Sequence, residues 1–148
     1  MLPVSFATSV PDPIAIPKSA FASAGASFIP SLVRSYSVGV AFSPNGAYAY
    51  VTNHYANSLS VINTATNTVT NTITVGSGPW GVAFSPNGNY AYVVNYNSNT
   101  ISVINTATNT VTNTISVGAY PINVVILPNS AYAYVTNSKS NTVSVLST

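Results

Sequence analysis

The sequence has no cysteine and no glutamate, and it holds a single aspartate, Asp12, and a single histidine, His54. Without cysteine there are no disulfides, thiolate metal sites or cysteine nucleophiles, and the redox compartment stays open. One carboxylate side chain cannot supply the pair that acid and base chemistry on glycosides uses. A Ser-His-Asp arrangement would have to bring Asp12, near the start, to His54 in a loop that varies between repeats. One His and one Asp are also too few for an ordinary metal site within one chain. Charge is scarce as well. Lys18, Arg34 and Lys139 against Asp12 give a formal net charge of +2 over 148 residues. The three cations are scattered and form no basic stripe, so nucleic acid is not an expected partner. The glycines at 76, 78 and 81 lack the following helix and lysine of a phosphate-cradling loop. No apolar run approaches the roughly 18 residues of a spanning helix. Pro3, Pro11, Pro13 and Pro17 interrupt the opening stretch, which is not a recognisable signal peptide. No Asn-x-Ser/Thr sequon occurs, so N-linked glycans are not expected. On this inventory the expectation is no catalytic, cofactor-binding or metal-binding residue, and no enzyme.

What the chain does have is 47% hydrophobic and 11% aromatic residues, enough for a folded domain with a core. Three segments align: GVAFSPNGAYAYVTN, GVAFSPNGNYAYVVN and NVVILPNSAYAYVTN, with Pro44, Pro86 and Pro128 in register at a period of 42. That period is compatible with four-stranded propeller blades and with paired helices. The composition decides between them. Val, Ile, Thr and Tyr alternate with period two between Pro-Asn-Gly and Asn-rich turns, which predicts short strands joined by hairpins. In the first unit the strands are expected near Val38 to Phe42, Ala47 to Thr52, Leu59 to Asn63 and Thr68 to Val75. Ser43-Pro44-Asn45-Gly46 makes the first turn, because proline presets φ and Asn-Gly tolerates a left-handed residue. Tyr48 and Tyr50 fall on one side of their strand, with Ala47, Ala49 and Val51 on the other, so rings can pack over small residues of the next blade. In the repeated stretch NTATNTVTNT, Asn63 to Asn67 form a turn into an outer strand. Strict alternation there puts Val69, Ile73 and Val75 on one face and the threonines on the other.

The residues YVTN at Tyr50 to Asn53, YVVN at Tyr92 to Asn95 and YVTN at Tyr134 to Asn137, with the Ser-Pro-x-Gly turn and VINTATNTV, resemble YVTN β-propeller repeats of surface-layer and other extracellular proteins. The resemblance covers roughly residues 36 to 148. It implies an all-β fold and an extracellular or cell-surface location. Where the family usually carries aspartate, this chain has Asn45, Asn87, Asn63 and Asn105.

The expected fold is therefore all-β: three four-stranded antiparallel propeller-type blades, open or completed by strand exchange between protomers. The repeats lie near 36–77, 78–119 and 120–148. Residues 1–27 read as an extended proline-rich arm, and 28–35 as a candidate donated strand. Shifted by 42, Phe28 to Val33 fall opposite the fourth strand of a blade. The third repeat ends before its own fourth strand, so Phe28, Ile29, Leu32 and Val33 are expected to pair with an edge formed by Thr142, Val143, Val145 and Leu146 of another copy. The functional expectation is a non-enzymatic structural protein that assembles with copies of itself as filament, surface layer or closed oligomer, with glycans as further partners. The alternative is a carbohydrate- or protein-binding propeller module, with Trp80 as its ligand aromatic.

Overall fold

The computed structural model describes residues 36–148. The expected arm at 1–27 and the expected strand at 28–35, with Phe28, Ile29, Leu32 and Val33, lie outside the described residues, as does Asp12. The described chain is all-β, with eleven antiparallel strands in sheets of four, four and three. Blade 1 comprises β1 (Ser37–Phe42), β2 (Tyr48–Asn53), β3 (Ser58–Asn63) and β4 (Thr68–Thr74). Blade 2 comprises β5 (Pro79–Phe84), β6 (Tyr90–Asn95), β7 (Thr100–Asn105) and β8 (Thr110–Ser116). Blade 3 comprises β9 (Pro121–Ile126), β10 (Tyr132–Asn137) and β11 (Thr142–Ser147). Each sheet is a meander in chain order. The first strands of the blades, β1, β5 and β9, lie side by side. Among the described residues no helix is long and apolar enough to cross a membrane.

Turn chemistry sets this register. Gly46 N–H donates to the Ser43 carbonyl at 2.7 Å, and Asn45 Oδ1 accepts from Ser43 Oγ and from Ala47 N–H. At the start of NTATNTVTNT, Asn63 Oδ1 accepts from Ala65 and Thr66 N–H, and Asn67 closes the turn at φ 55°. Asparagine is suited to both tasks, because its side chain mimics a backbone acceptor and it tolerates the left-handed region. The motif asparagines of the second strands are buried. Asn53, Asn95 and Asn137 donate from Nδ2 to two hydroxyls of the next strand, Ser58 and Ser60 in blade 1, while each Oδ1 is buried without a partner.

The fourth strands depart from strict alternation. Val61 pairs with Asn71 and Ile62 with Val69, so Thr70 is an extra residue, and its hydroxyl donates to the Val61 carbonyl at 3.3 Å. The same bulge recurs at Thr112, bonded to the Val103 carbonyl. A bulge reverses the facing of everything beyond it. Ile73 and Val75 therefore face blade 2, whereas Val69 faces the other way. Blade 2 shows the consequence, since Val111 packs toward blade 1 and Ile115 toward blade 3. One outer strand thus serves two interfaces.

Two layers of side chains bind the blades. Tyr50, Leu59, Val61 and Ile73 of blade 1 pack on Ala91, Val93 and Ile104 of blade 2, so the expected packing of rings over small residues is present. Tyr92, Val94, Ile101 and Val103 repeat this against Val124, Ala133 and Val135 of blade 3. Full burial of a side chain such as Leu59 or Ile101 is worth about 1.5–3 kcal/mol. On blade 3 the residues one period later, Tyr134, Val143 and Val145, face outward, as do Val40 and Phe42 on blade 1. Near the axis, glycine is a spatial requirement. A Cβ on Gly39 would run into the Trp80 carbonyl, and one on Gly81 would lie 2.7 Å from the Ile122 carbonyl.

Candidate functional site

The hairpin turns collect at two ends. At one end Thr64 N–H and Oγ1 tie the third-to-fourth-strand turn to the first, through the Ala47 and Gly46 carbonyls. A groove of about 340 Å³ opens there between blades 1 and 2, lined by Tyr48, Tyr50, Phe84 and Asn109 among others. Tyr50 Oη donates to Asn109 Oδ1 at 2.7 Å. Burial, and secondarily Tyr48, pushes the Tyr50 hydroxyl up to about 12. Burial with Tyr90 likewise raises Tyr92. These phenols stay neutral across the physiological range and supply no base.

The opposite end is built differently. Loops 54–57, 96–99 and 138–141 meet the connections into each first strand, and the link repeats: His54 N–H donates to the Tyr36 carbonyl, Tyr96 N–H to Gly78, and Ser138 N–H to Tyr120. Tyr36, Gly78 and Tyr120 are equivalent positions, all left-handed, at φ 59°, 64° and 52°. Blade 2 uses glycine there. A side chain in that region costs roughly 1–2 kcal/mol, so two tyrosines in it are strained. At Tyr120 the strain is held by bonds on both sides, because its N–H donates to Asn99 Oδ1 at 2.8 Å as its carbonyl accepts from Ser138.

The rings at this end are in contact from blade to blade. Tyr36 lies 5.3 Å from Tyr55 and 5.8 Å from His54, centroid to centroid. His54 stands edge-on to Trp80 at 5.3 Å, Trp80 neighbours Tyr96 at 5.4 Å, and Tyr96 stacks on Tyr120 at 4.7 Å and 12°. Lys139 Nζ caps the row, 4.8 Å from the Tyr120 centroid. Such pairs prefer edge-on and offset geometry and add about 0.5–1.5 kcal/mol each beyond area burial.

His54 sits at the centre of this row and is 9% exposed. Its Nδ1 lies 3.3 Å from the Pro79 carbonyl, which can only accept, so Nδ1 is the donor in this contact. Sequence spacing placed His54 at a variable loop position, equivalent to Tyr96 and Ser138. The structure places it there and adds that rings from two blades enclose it. Trp80, the expected ligand aromatic, lies in the same row and makes an inter-blade joint: its carbonyl accepts from Thr52 Oγ1 at 2.7 Å. Thr142, Val143, Val145 and Leu146 belong to β11, which pairs on one side with β10 and has no neighbour on the other among the described residues. Leu146 packs in the core between blades 2 and 3. Among the described residues no three His, Cys, Asp or Glu side chains cluster.

A family model described as "Lactonase, 7-bladed beta-propeller" matches residues 39–148. The chain belongs to this lactonase family. The resemblance to propeller repeats read from the sequence is thereby shown at the level of a β-propeller family. The curated proteins give no match. Among solved structures, Kuenenia stuttgartiensis hydrazine synthase is similar at 25% identity and TM-score 0.74, over 83% of this chain and 36% of that one. A functionally unknown protein from Desulfotomaculum acetoxidans is 24% identical with TM-score 0.62, over 74% and 41%. A candidate 6-phosphogluconolactonase from Bacteroides fragilis is 22% identical with TM-score 0.67, over 73% and 33%. The lactonase-family chain thus spans about a third to two-fifths of these structures' lengths. The latter likenesses show the fold. Two expectations are corrected by the family match: a non-enzymatic, self-assembling structural protein, and the absence of an enzyme. The physical reason is that scarce carboxylates speak only against carboxylate chemistry and leave the imidazole of His54 open as a proton acceptor.

Proposed function

We propose that this chain is a lactone hydrolase, with the reacting ring held at the aromatic end and His54 as general base. The observation that carries the reading, within a lactonase family, is the enclosed His54 with its Nδ1 proton directed to the Pro79 carbonyl. Histidine is the side chain suited to exchange a proton near neutral pH, and residues 36–148 contain no carboxylate side chain to compete for that role. In the reaction, Nε2 takes a proton from water as the water oxygen attacks the lactone carbonyl. The tetrahedral intermediate collapses with cleavage of the ring C–O bond, and the imidazolium returns the proton to the departing alkoxide. The product is the open hydroxy acid, and one water and no oxidant is consumed. The contact with Pro79 holds the ring orientation throughout. The YVTN-type pattern is, in this reading, one sequence solution for a lactonase-family blade. The test is a pH-stat assay of the intact protein on five- and six-membered sugar lactones. Ring opening well above the buffer rate is expected, and a folded protein that leaves every lactone at the buffer rate overturns the proposal.

A further inference from the structure

The two joints between blades are built from the same positions, and each outer blade carries one half of a further joint. In the first joint Tyr50, Leu59 and Val61 of blade 1 pack with Val82 and Phe84 of blade 2, the Tyr50 and Phe84 rings 4.6 Å apart. In the second joint Tyr92, Ile101 and Val103 replace the first set, and Val124 and Ile126 replace the second. One period of 42 further on, blade 3 presents Tyr134, Val143 and Val145; one period back, blade 1 presents Val40 and Phe42. Leu59 and Ile101 are fully buried, whereas their equivalent Val143 is 57% exposed, and Phe42 is 65% exposed. Isolated apolar side chains on a surface need no explanation, but two patches with the composition of a packed joint do.

A polar latch accompanies each joint. Asn57 Oδ1 accepts from Gly78 N–H at 2.9 Å in the first, and Asn99 Oδ1 accepts from Tyr120 N–H at 2.8 Å in the second. The remaining members of the two series are Asn141 and Tyr36. Asn141 is left-handed at φ 53°, as Asn57 and Asn99 are at 50° and 55°, and Tyr36 shares the conformation of Gly78 and Tyr120. Neither the Asn141 amide nor the Tyr36 N–H has a hydrogen-bond partner among the described residues. Both halves of a latch are thus in the bonded conformation, on the two outer blades. We infer that blade 3 of one copy packs on blade 1 of a second copy, with Tyr134 against the partner's Phe42 and Asn141 accepting from the N–H of the partner's Tyr36. The occupant follows from the two joints already made, because the surface that fits blade 3 in this chain is the front of such a blade. Unlike faces meeting in this way close into a ring when the rotation permits. Two copies with three sheets each close as six blades, inside the range of about four to eight over which propellers close and one fewer than the family description names. The joint is face to face, exchanges no strand and does not depend on the proposed hydrolysis.

The test is the mass of the full 148-residue chain by sedimentation over a series of micromolar concentrations. Two chains per particle are expected. Val143→Lys and Phe42→Lys, on opposite outer faces, should each give single chains with the circular dichroism and urea midpoint of the original, because both side chains are exposed within one copy. Asn141→Gly keeps the left-handed conformation and removes Oδ1, so it should raise the dissociation constant about tenfold or more, the bond being made at both joints. A single-chain mass for the original protein overturns the inference, and would leave the faces to residues 1–35 or to a different protein. A mass that grows with concentration beyond two chains overturns the closed pair. A two-chain mass that survives either lysine variant overturns the pairing of unlike faces. Should a lysine variant not fold, Asn141→Gly decides, and an unchanged dissociation constant there overturns the inference.

Discussion

Thr52→Val isolates the bond that places Trp80 in the aromatic row. Thr52 is fully buried, and its Oγ1 accepts from Gly39 N–H at 2.8 Å while donating to the Trp80 carbonyl at 2.7 Å. One hydroxyl thus joins two strands of blade 1 to the first strand of blade 2. Valine has the same shape, and Val94 occupies the equivalent place in blade 2, so the change removes the hydroxyl without a steric penalty. Two hydrogen bonds at about 1 kcal/mol each are lost, and Gly39 N–H is left partly buried without its partner, for a total of about 2–3 kcal/mol. For a domain of this size that lowers Tm by roughly 8–12 °C. Equilibrium urea unfolding followed by circular dichroism measures the loss, and Trp80 emission reports whether its environment opens. A midpoint unchanged within error, with unaltered emission, refutes the role given to this bridge.

Ile101→Ala removes a fully buried side chain from the layer between blades 2 and 3 and should cost about 2–5 kcal/mol in urea unfolding; a loss well under 1 kcal/mol would mean that the two blades do not share a packed core. Burial raises the pKa of Tyr50 in the folded state from the ordinary 10.0 to about 12, which makes its neutral form the one the fold favours. Its contribution is then fully present below pH 10 and declines as pH rises from there toward 12, an alkaline loss that Tyr50→Phe should reduce in pH-dependent unfolding.

The period of 42 and the turns at Pro44, Pro86 and Pro128 made the blades legible, and the strand bounds expected in blade 1 fall within one residue of those observed. The bulge at Thr70 was not legible. A threonine that bonds the facing carbonyl looks the same in sequence as one facing solvent, and alternation counts assume that no residue is extra. Val69 was therefore assigned to the wrong face. The enclosure of His54 was not legible for a different reason: it comes from Tyr36, Trp80 and Tyr96, which the blades bring together across sequence separations that periodicity does not display. One signal was available. Tyr36 and Tyr120 stand where the middle repeat has Gly78, a bulky ring at a position whose conformation favours glycine.

The most direct measurement is the rate of lactone ring opening by the intact protein and by His54→Gln at matched folded fraction, read as kcat and KM separately. Glutamine fills similar space but cannot act as a general base, so kcat should fall about 10²-fold or more while KM changes little. A His54→Gln protein that retains the kcat of the original chain would contradict the assignment of the chemistry to this imidazole.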